Sequence, residues 1–257
     1  MEESEEFDPT DPEQSPQSLL EVDQCIAVAR SQLEAYWGYS FSQEDRCASN
    51  LHQTPAANSL EVPNSLSGGA LFYPCAASDT NLVIDVFSNL VSSIHFCDVR
   101  HPEKKVRENF ADSKLVPFVG RVFMETCTEI LTLRQSSASS QGVISYCVGD
   151  SVHFFLQSMK RISIFFYRRD SPNPDGEGGS GVLWFGPVLL DLVLQRIVNG
   201  GILCTDFSNS YGFLAERLQK LVVGERLHYR NLTLIRLEPS KLSARIPQLT
   251  IVQVLRT

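Results

Sequence analysis

Apolar positions along this 257-residue chain fall into short blocks that alternate between two rhythms. Ala70–Tyr73, Ile94–Cys97, Arg161–Tyr167 and Ile202–Thr205 are nearly continuous apolar runs of strand length, as strands covered on both faces require. Between them, Val83, Ile84, Phe87, Leu90 and Val91 recur at helical spacing. So do Val152, Phe155, Leu156 and Met159, then Leu189, Leu190, Val193, Leu194 and Ile197. Tyr211–Val222 is a further amphipathic helix. Strand–helix alternation through residue 222 predicts an α/β domain with a mostly parallel, doubly wound sheet.

Turn and cap residues punctuate these blocks. Pro74 stops the first strand, and Asp79 suits the N-cap of the helix that follows. Asp150 and Ser151 both suit the next cap, and Pro187 suits a first helical position. Asn199-Gly200-Gly201 reads as a glycine C-cap. His101–Leu115 is charged and predicts a helix started by Pro102. Arg121–Leu133 and Val143–Val148, joined by the Ser-rich 136–142 stretch, read as a long hairpin. Leu227–Leu237 and Leu249–Leu255 follow with no helix between them, so they pair antiparallel or lie apart.

Charge changes the picture at the N-terminus. Residues 1–17 carry seven acids and no Lys or Arg, so nearly all of the net charge of −8 belongs to an acidic tail that is expected to be disordered. Residues 18–64 read as a helical extension capped by Ser18, followed by a polar linker. Residues 65–257 read as the sheet domain. The body lacks a basic footprint for nucleic acid. No apolar run reaches membrane-spanning length, and the acidic start does not read as a signal peptide. Seven cysteines include no CxxC and no zinc spacing. Several sit in apolar runs, which fits reduced thiols and a cytoplasmic location.

The stretch Gly69–Asp98 holds the candidate chemistry: a strand, a turn of small residues, a helix, and a second strand that ends on an acid. That layout places an anionic ligand group at a helix N-terminus and lets the acid accept from ribose hydroxyls. It is equally the layout of a plain βαβ turn. Asp98 is therefore a ribose ligand, or a strand end paired with Arg100 or His101. Asp150 contacts a ligand or caps its helix. Arg168, Arg169 and Asp170 end a strand, where two guanidiniums bind a carboxylate or phosphate, or form a charged loop start. The 176–181 stretch formally matches GxGxxG but follows two prolines. It reads as a lid or surface loop anchored by Trp184. His95 and His153 read as satisfied histidines. Cys75 suits a nucleophile at a helix N-terminus, although no histidine is placed beside it.

The terminal order of helix, Gly-Gly-Ile-Leu strand, helix, strand, strand resembles class I S-adenosylmethionine-dependent methyltransferases over about residues 65–257. The resemblance implies a seven-stranded sheet whose last strand inserts antiparallel near the C-terminal edge. It also implies that Tyr73, Pro74, Cys75, Ala76 and Asp79 face the methionine part of S-adenosylmethionine. By the same likeness, Asp98 holds the ribose, Gly149-Asp150 meets the adenine, and Arg168, Arg169 and Asp170 stand where substrate and catalytic residues are found. Tyr73-Pro74 through Asp79, with the Tyr167–Gly181 stretch, is similar to a poorly characterised methyltransferase-like group whose loop starts Tyr-Pro-Gly. Cys75 stands in place of that glycine. The expected function is methyl transfer to a small-molecule acceptor. The rivals are a non-catalytic module of the same fold that has lost the cofactor, and a site for another nucleotide or phosphorylated ligand.

Overall fold

A computed structural model describes residues 66, 69–76, 79–99, 110–117, 127–133, 143–168, 184–208, 210, 212–238 and 249–256. The tail, the N-terminal helical extension, Arg169, Asp170 and the 176–181 loop lie outside the described residues.

Chain order runs β1 (Ala70–Pro74), α1 (Thr80–Phe87), β2 (Ser93–Asp98), β3 (Phe110–Pro117), β4 (Cys127–Leu133) and β5 (Val143–Val148). Then come α2 (Ser151–Ser158), β6 (Ile162–Tyr167), α3 (Pro187–Arg196), β7 (Ile197–Thr205), α4 (Phe213–Lys220), β8 (Arg226–Tyr229), β9 (Leu232–Leu237) and β10 (Thr250–Arg256). One sheet contains all ten strands in the order β3-β4-β5-β2-β1-β6-β7-β10-β9-β8. The five central strands β5, β2, β1, β6 and β7 are parallel. β10 inserts antiparallel between β7 and β9.

The expected count of seven strands is therefore corrected to ten among the described residues. β3 and β4 add an antiparallel hairpin beyond β5, and β8 adds an edge beyond β9. The helix expected over His101–Leu115 is corrected over its described part, because Phe110–Pro117 is a strand; 101–109 lie outside the described residues. Pairing with β4 along seven registered partners outweighs a weak helical preference, and Val116-Pro117 opposes a helix in any case. The long run Leu227–Leu237 breaks into β8 and β9 at Arg230-Asn231, where Arg230 takes a φ of 53°.

Alternate strand residues feed two cores. One face buries Phe72, Phe155, Phe165 and Trp184 with α2, α3 and α4. The other buries Tyr73, Phe96, Phe166 and Phe87 beneath α1. Phe155 and Trp184 meet edge-to-face at 5.5 Å, and Tyr73 and Phe166 at 4.8 Å, the arrangement the aromatic quadrupole favours. Arg196, in the last turn of α3, donates to the carbonyls of Phe155 (2.7 Å) and Met159 (3.2 Å) and so satisfies the C-terminal end of α2.

Asn199-Gly200-Gly201 is not a helix cap. α3 ends at Arg196, Ile197 is already extended, and the three residues bulge within β7. Gly201 is required there. A Cβ on it would stand 2.6 Å from Ile197 Cγ2 and 2.7 Å from the Ser163 carbonyl oxygen. Among the described residues, no helix is long and apolar enough to cross a membrane.

Candidate functional site

Strand order reverses at β1. The chain leaves β1 through α1 toward β2 on one side, and later returns to place β6 on the other side. In such sheets a crevice opens beyond the carboxyl ends of the two diverging strands. Tyr73 near the end of β1, Asp98 at the end of β2, Asp150 just after β5 and Tyr167 at the end of β6 lie along one rim, because those strands are parallel neighbours.

The pair at the reversal point is Asp79 and Arg168. Arg168 Nε donates to Asp79 Oδ2 at 2.5 Å, and Nη2 donates to Oδ1 at 3.0 Å. Arg168's side chain is 5% exposed and Asp79's is 25% exposed. Asp79 stands at the N-cap position of α1 but makes no side-chain cap bond, so the expected cap is corrected. Two hydrogen bonds to a buried guanidinium, with charge on both partners, outweigh a single cap bond to a backbone N–H. Tyr73 Oη lies 3.3 Å from both Asp79 Oδ2 and the Arg168 carbonyl oxygen. Burial, then the Asp79 charge, pushes the Tyr73 phenol well up. Burial opposes charge on Arg168, but the hydrogen bonds and charge of Asp79 outweigh it and hold the guanidinium above its ordinary value. Of the expected catalytic residues, the described one thus grips a carboxylate of its own chain.

The loop after β1 turns at Cys75, whose φ is 57°. This is the left-handed conformation glycine adopts freely and other residues adopt at a cost. The N–H groups of Cys75 and Ala76 point at the Cys97 carbonyl oxygen, at 2.6 and 3.4 Å. Cys75 Sγ stands 3.7 Å from Ser151 Oγ at the start of α2. The loop closes when the Asp79 N–H reaches the Ala76 carbonyl at 2.9 Å.

Asp98 is 8% exposed, and its carbonyl accepts from the Gly149 N–H at 2.8 Å, tying the ends of β2 and β5 together. The Asp98 charge adds to burial in raising the Tyr146 phenol. Asp150 caps α2, with Oδ1 accepting from the His153 N–H at 2.8 Å. The capping role offered for Asp150 is therefore realised.

Asp206, just after β7, is a rim residue that was not among the expected site residues. Its Oδ1 accepts from the Ser208 N–H (3.0 Å) and hydroxyl (2.7 Å), and its charge reaches Tyr73. The signal was an acid after a buried strand, the same signal that singled out Asp98.

His95 is satisfied, as expected. His95 Nδ1 lies 2.8 Å from Ser145 Oγ and Nε2 lies 3.1 Å from Ser93 Oγ, and burial lowers its pKa. Burial also lowers that of His153. Trp184, expected to anchor a lid, is fully buried in the aromatic core. Among the described residues no group of three or more His, Cys, Asp or Glu is arranged to hold a metal ion.

No protein-family model matches this chain, and no curated protein matches it.

Proposed function

We propose that residues 65–257 are a methyltransferase-like Rossmann domain that binds S-adenosylmethionine along the β5-β2-β1-β6 rim and transfers its methyl group to a small-molecule acceptor. The observation that carries this reading is the strand order β5-β2-β1-β6-β7-β10-β9 with β10 antiparallel. It combines a nucleotide-type reversal point with the inserted terminal strand that the sequence resemblance implies.

The residues present suit the nucleoside part of the cofactor. Asp98 is a largely buried carboxylate at the end of the strand next to β1, where ribose hydroxyls would donate to it. Cys75 holds the backbone shape of a glycine at the turn. When bound, the cofactor supplies a methyl group activated by a sulfonium. Asp98 and the 74–76 turn would orient it, and the Asp79–Arg168 pair would fix the spacing of the β1 and β6 ends beside it. Methyl transfer gains mainly from such in-line positioning.

Isothermal titration of the full chain with S-adenosylmethionine and S-adenosylhomocysteine tests the reading. Binding of either is expected; no heat from either, with a cooperatively folded sample, ends it.

A second reading is favoured by one specific observation. The Cys75 and Ala76 N–H groups, which a glycine-rich loop would turn toward a ligand, are directed at Cys97 instead. On that reading the domain is a non-catalytic binding module, and neither cofactor form binds.

A further inference from the structure

Cys75, Cys97 and Cys147 meet beneath the rim, and none of the three is in a disulfide. Cys97 and Cys147 are register partners on the adjacent strands β2 and β5. Both belong to the core that also packs against α2 and α3, and Cys75 packs against that same core from the rim. Cys97 and Cys147 are 0% and 1% exposed, whereas Cys75 keeps part of its surface open to solvent. Burial pushes the Cys97 thiol well up, so Cys97 is not the first of the pair to meet an oxidant.

Cys75 is different in position as well as exposure. Its backbone N–H sits 2.6 Å from the Cys97 carbonyl oxygen. A backbone contact of that length brings the two segments within the ~4.4–6.8 Å Cα range a disulfide spans. In the reduced state Cys75 Sγ faces Ser151 Oγ at 3.7 Å and Cys97 Sγ faces the Gly149 carbonyl oxygen at 3.6 Å. The left-handed φ of Cys75 turns the side chain out of strand alternation and onto the face that holds Cys97.

We propose that Cys75 and Cys97 form a reversible thiol–disulfide pair, in which Cys75 meets a peroxide oxidant and Cys97 resolves it. The Cys75 thiolate attacks one oxygen of hydrogen peroxide. The O–O bond breaks, hydroxide leaves, and Cys75 becomes a sulfenic acid. Cys97 then attacks that sulfur, the S–O bond breaks, and the Cys97 proton leaves with hydroxide as water. Two sulfurs lose one electron each, and one peroxide becomes two waters. A dithiol reductant reverses the pair. The link would tie the 74–76 turn to β2 one residue before Asp98, so it closes the rim where the nucleoside is proposed to sit. The chemistry itself does not depend on that proposal.

The test is non-reducing peptide mapping of the full chain after mild hydrogen peroxide, with thiol titration before and after dithiothreitol. A Cys75–Cys97 linked peptide is expected, with loss of a pair of thiols that dithiothreitol restores. In Cys97→Ala, Cys75 is expected to accumulate as a sulfenic acid trapped by dimedone. In Cys75→Gly, which suits the turn's backbone, Cys97 is expected to stay reduced. Cys75 left unmodified, Cys75 joined to a different cysteine, or Cys75 overoxidised while Cys97 remains a thiol overturns the proposal. Because these readouts need no cofactor, their failure is separate from a failure to bind S-adenosylmethionine.

Discussion

Asp79 and Arg168 join the ends of β1 and β6 across the point where the strand order reverses, through two hydrogen bonds of 2.5 and 3.0 Å. An arginine with 5% of its side chain exposed is thereby neutralised by an acid 89 residues away in sequence. Tyr73 caps the pair from below.

Removing the acid strands the cation. Asp79→Ala is expected to destabilise the fold by roughly 2–4 kcal/mol, the scale of a buried pair broken on one side, reduced because Asp79 is partly exposed. Arg168→Met, which leaves only the more exposed partner unpaired, is expected to cost less. Urea unfolding midpoints check both. Equal and small losses for the two variants would show that the pair is an ordinary surface contact.

Cys75 adopts its φ of 57° at a cost that glycine avoids. Cys75→Gly is expected to leave stability unchanged or raise it by up to about 1 kcal/mol. The relieved left-handed strain of ~1–2 kcal/mol is set against glycine's greater unfolded entropy. The same change should tighten S-adenosylmethionine binding, because it uncrowds the turn. Calorimetry reads both effects, and a lower melting temperature would count against the strain argument.

Asp98→Ala removes the proposed ribose acceptor. S-adenosylmethionine affinity is expected to fall at least about tenfold, the equivalent of ~1.4 kcal/mol for a lost charge-assisted bond. The melting temperature is expected to hold. If affinity is unchanged in a folded variant, the cofactor does not lie against β2.

Gly201→Ala places a methyl group against backbone, 2.7 Å from the Ser163 carbonyl oxygen. Overpacking of this kind costs roughly 1–3 kcal/mol, and the β6–β7 bulge must open to relieve it. Thermal unfolding checks the loss. Gly200→Ala, with nothing within 4 Å but a φ of 79°, isolates the purely conformational cost for comparison.

His95 gives stability a pH dependence of known sign. Its folded-state pKa is lowered by burial, so the unfolded chain binds the proton more readily. Stability is therefore full above the unfolded value of about 6.5 and declines as pH falls below it, by at most ~1.4 kcal/mol per pH unit from one histidine. His95→Gln, which can still meet Ser93 and Ser145, is expected to flatten the dependence between about pH 7 and 5. A parallel pH profile in the variant would remove His95 from the account.

Much of the scaffold was legible in local pattern. The runs Ala70–Tyr73, Ile94–Cys97, Val143–Val148 and Ile202–Thr205 are strands, and Pro187 opens its helix. These are buried on both faces or start helices, so residue type alone carries the signal. The Phe110–Pro117 strand was not legible, because its stability comes from a hairpin partner rather than from its own composition. The Asn199–Gly201 stretch looked like a cap. A glycine demanded by close approach to Ser163 has the same sequence signature as one demanded by a helix end.

By itself the sequence determined the alternation of strands and helices, the two closing strands with no helix between them and the acids at or just after the ends of β2 and β5, since each follows from periodicity or position along the chain. Only the tertiary structure decided what those groups do. Asp79 left its helix cap for Arg168, Asp150 kept its cap, and Cys75 came to rest against Cys97. A cap needs residues three apart, whereas an ion pair 89 residues long depends on which strands become neighbours, and that order is set by the packing of the whole sheet.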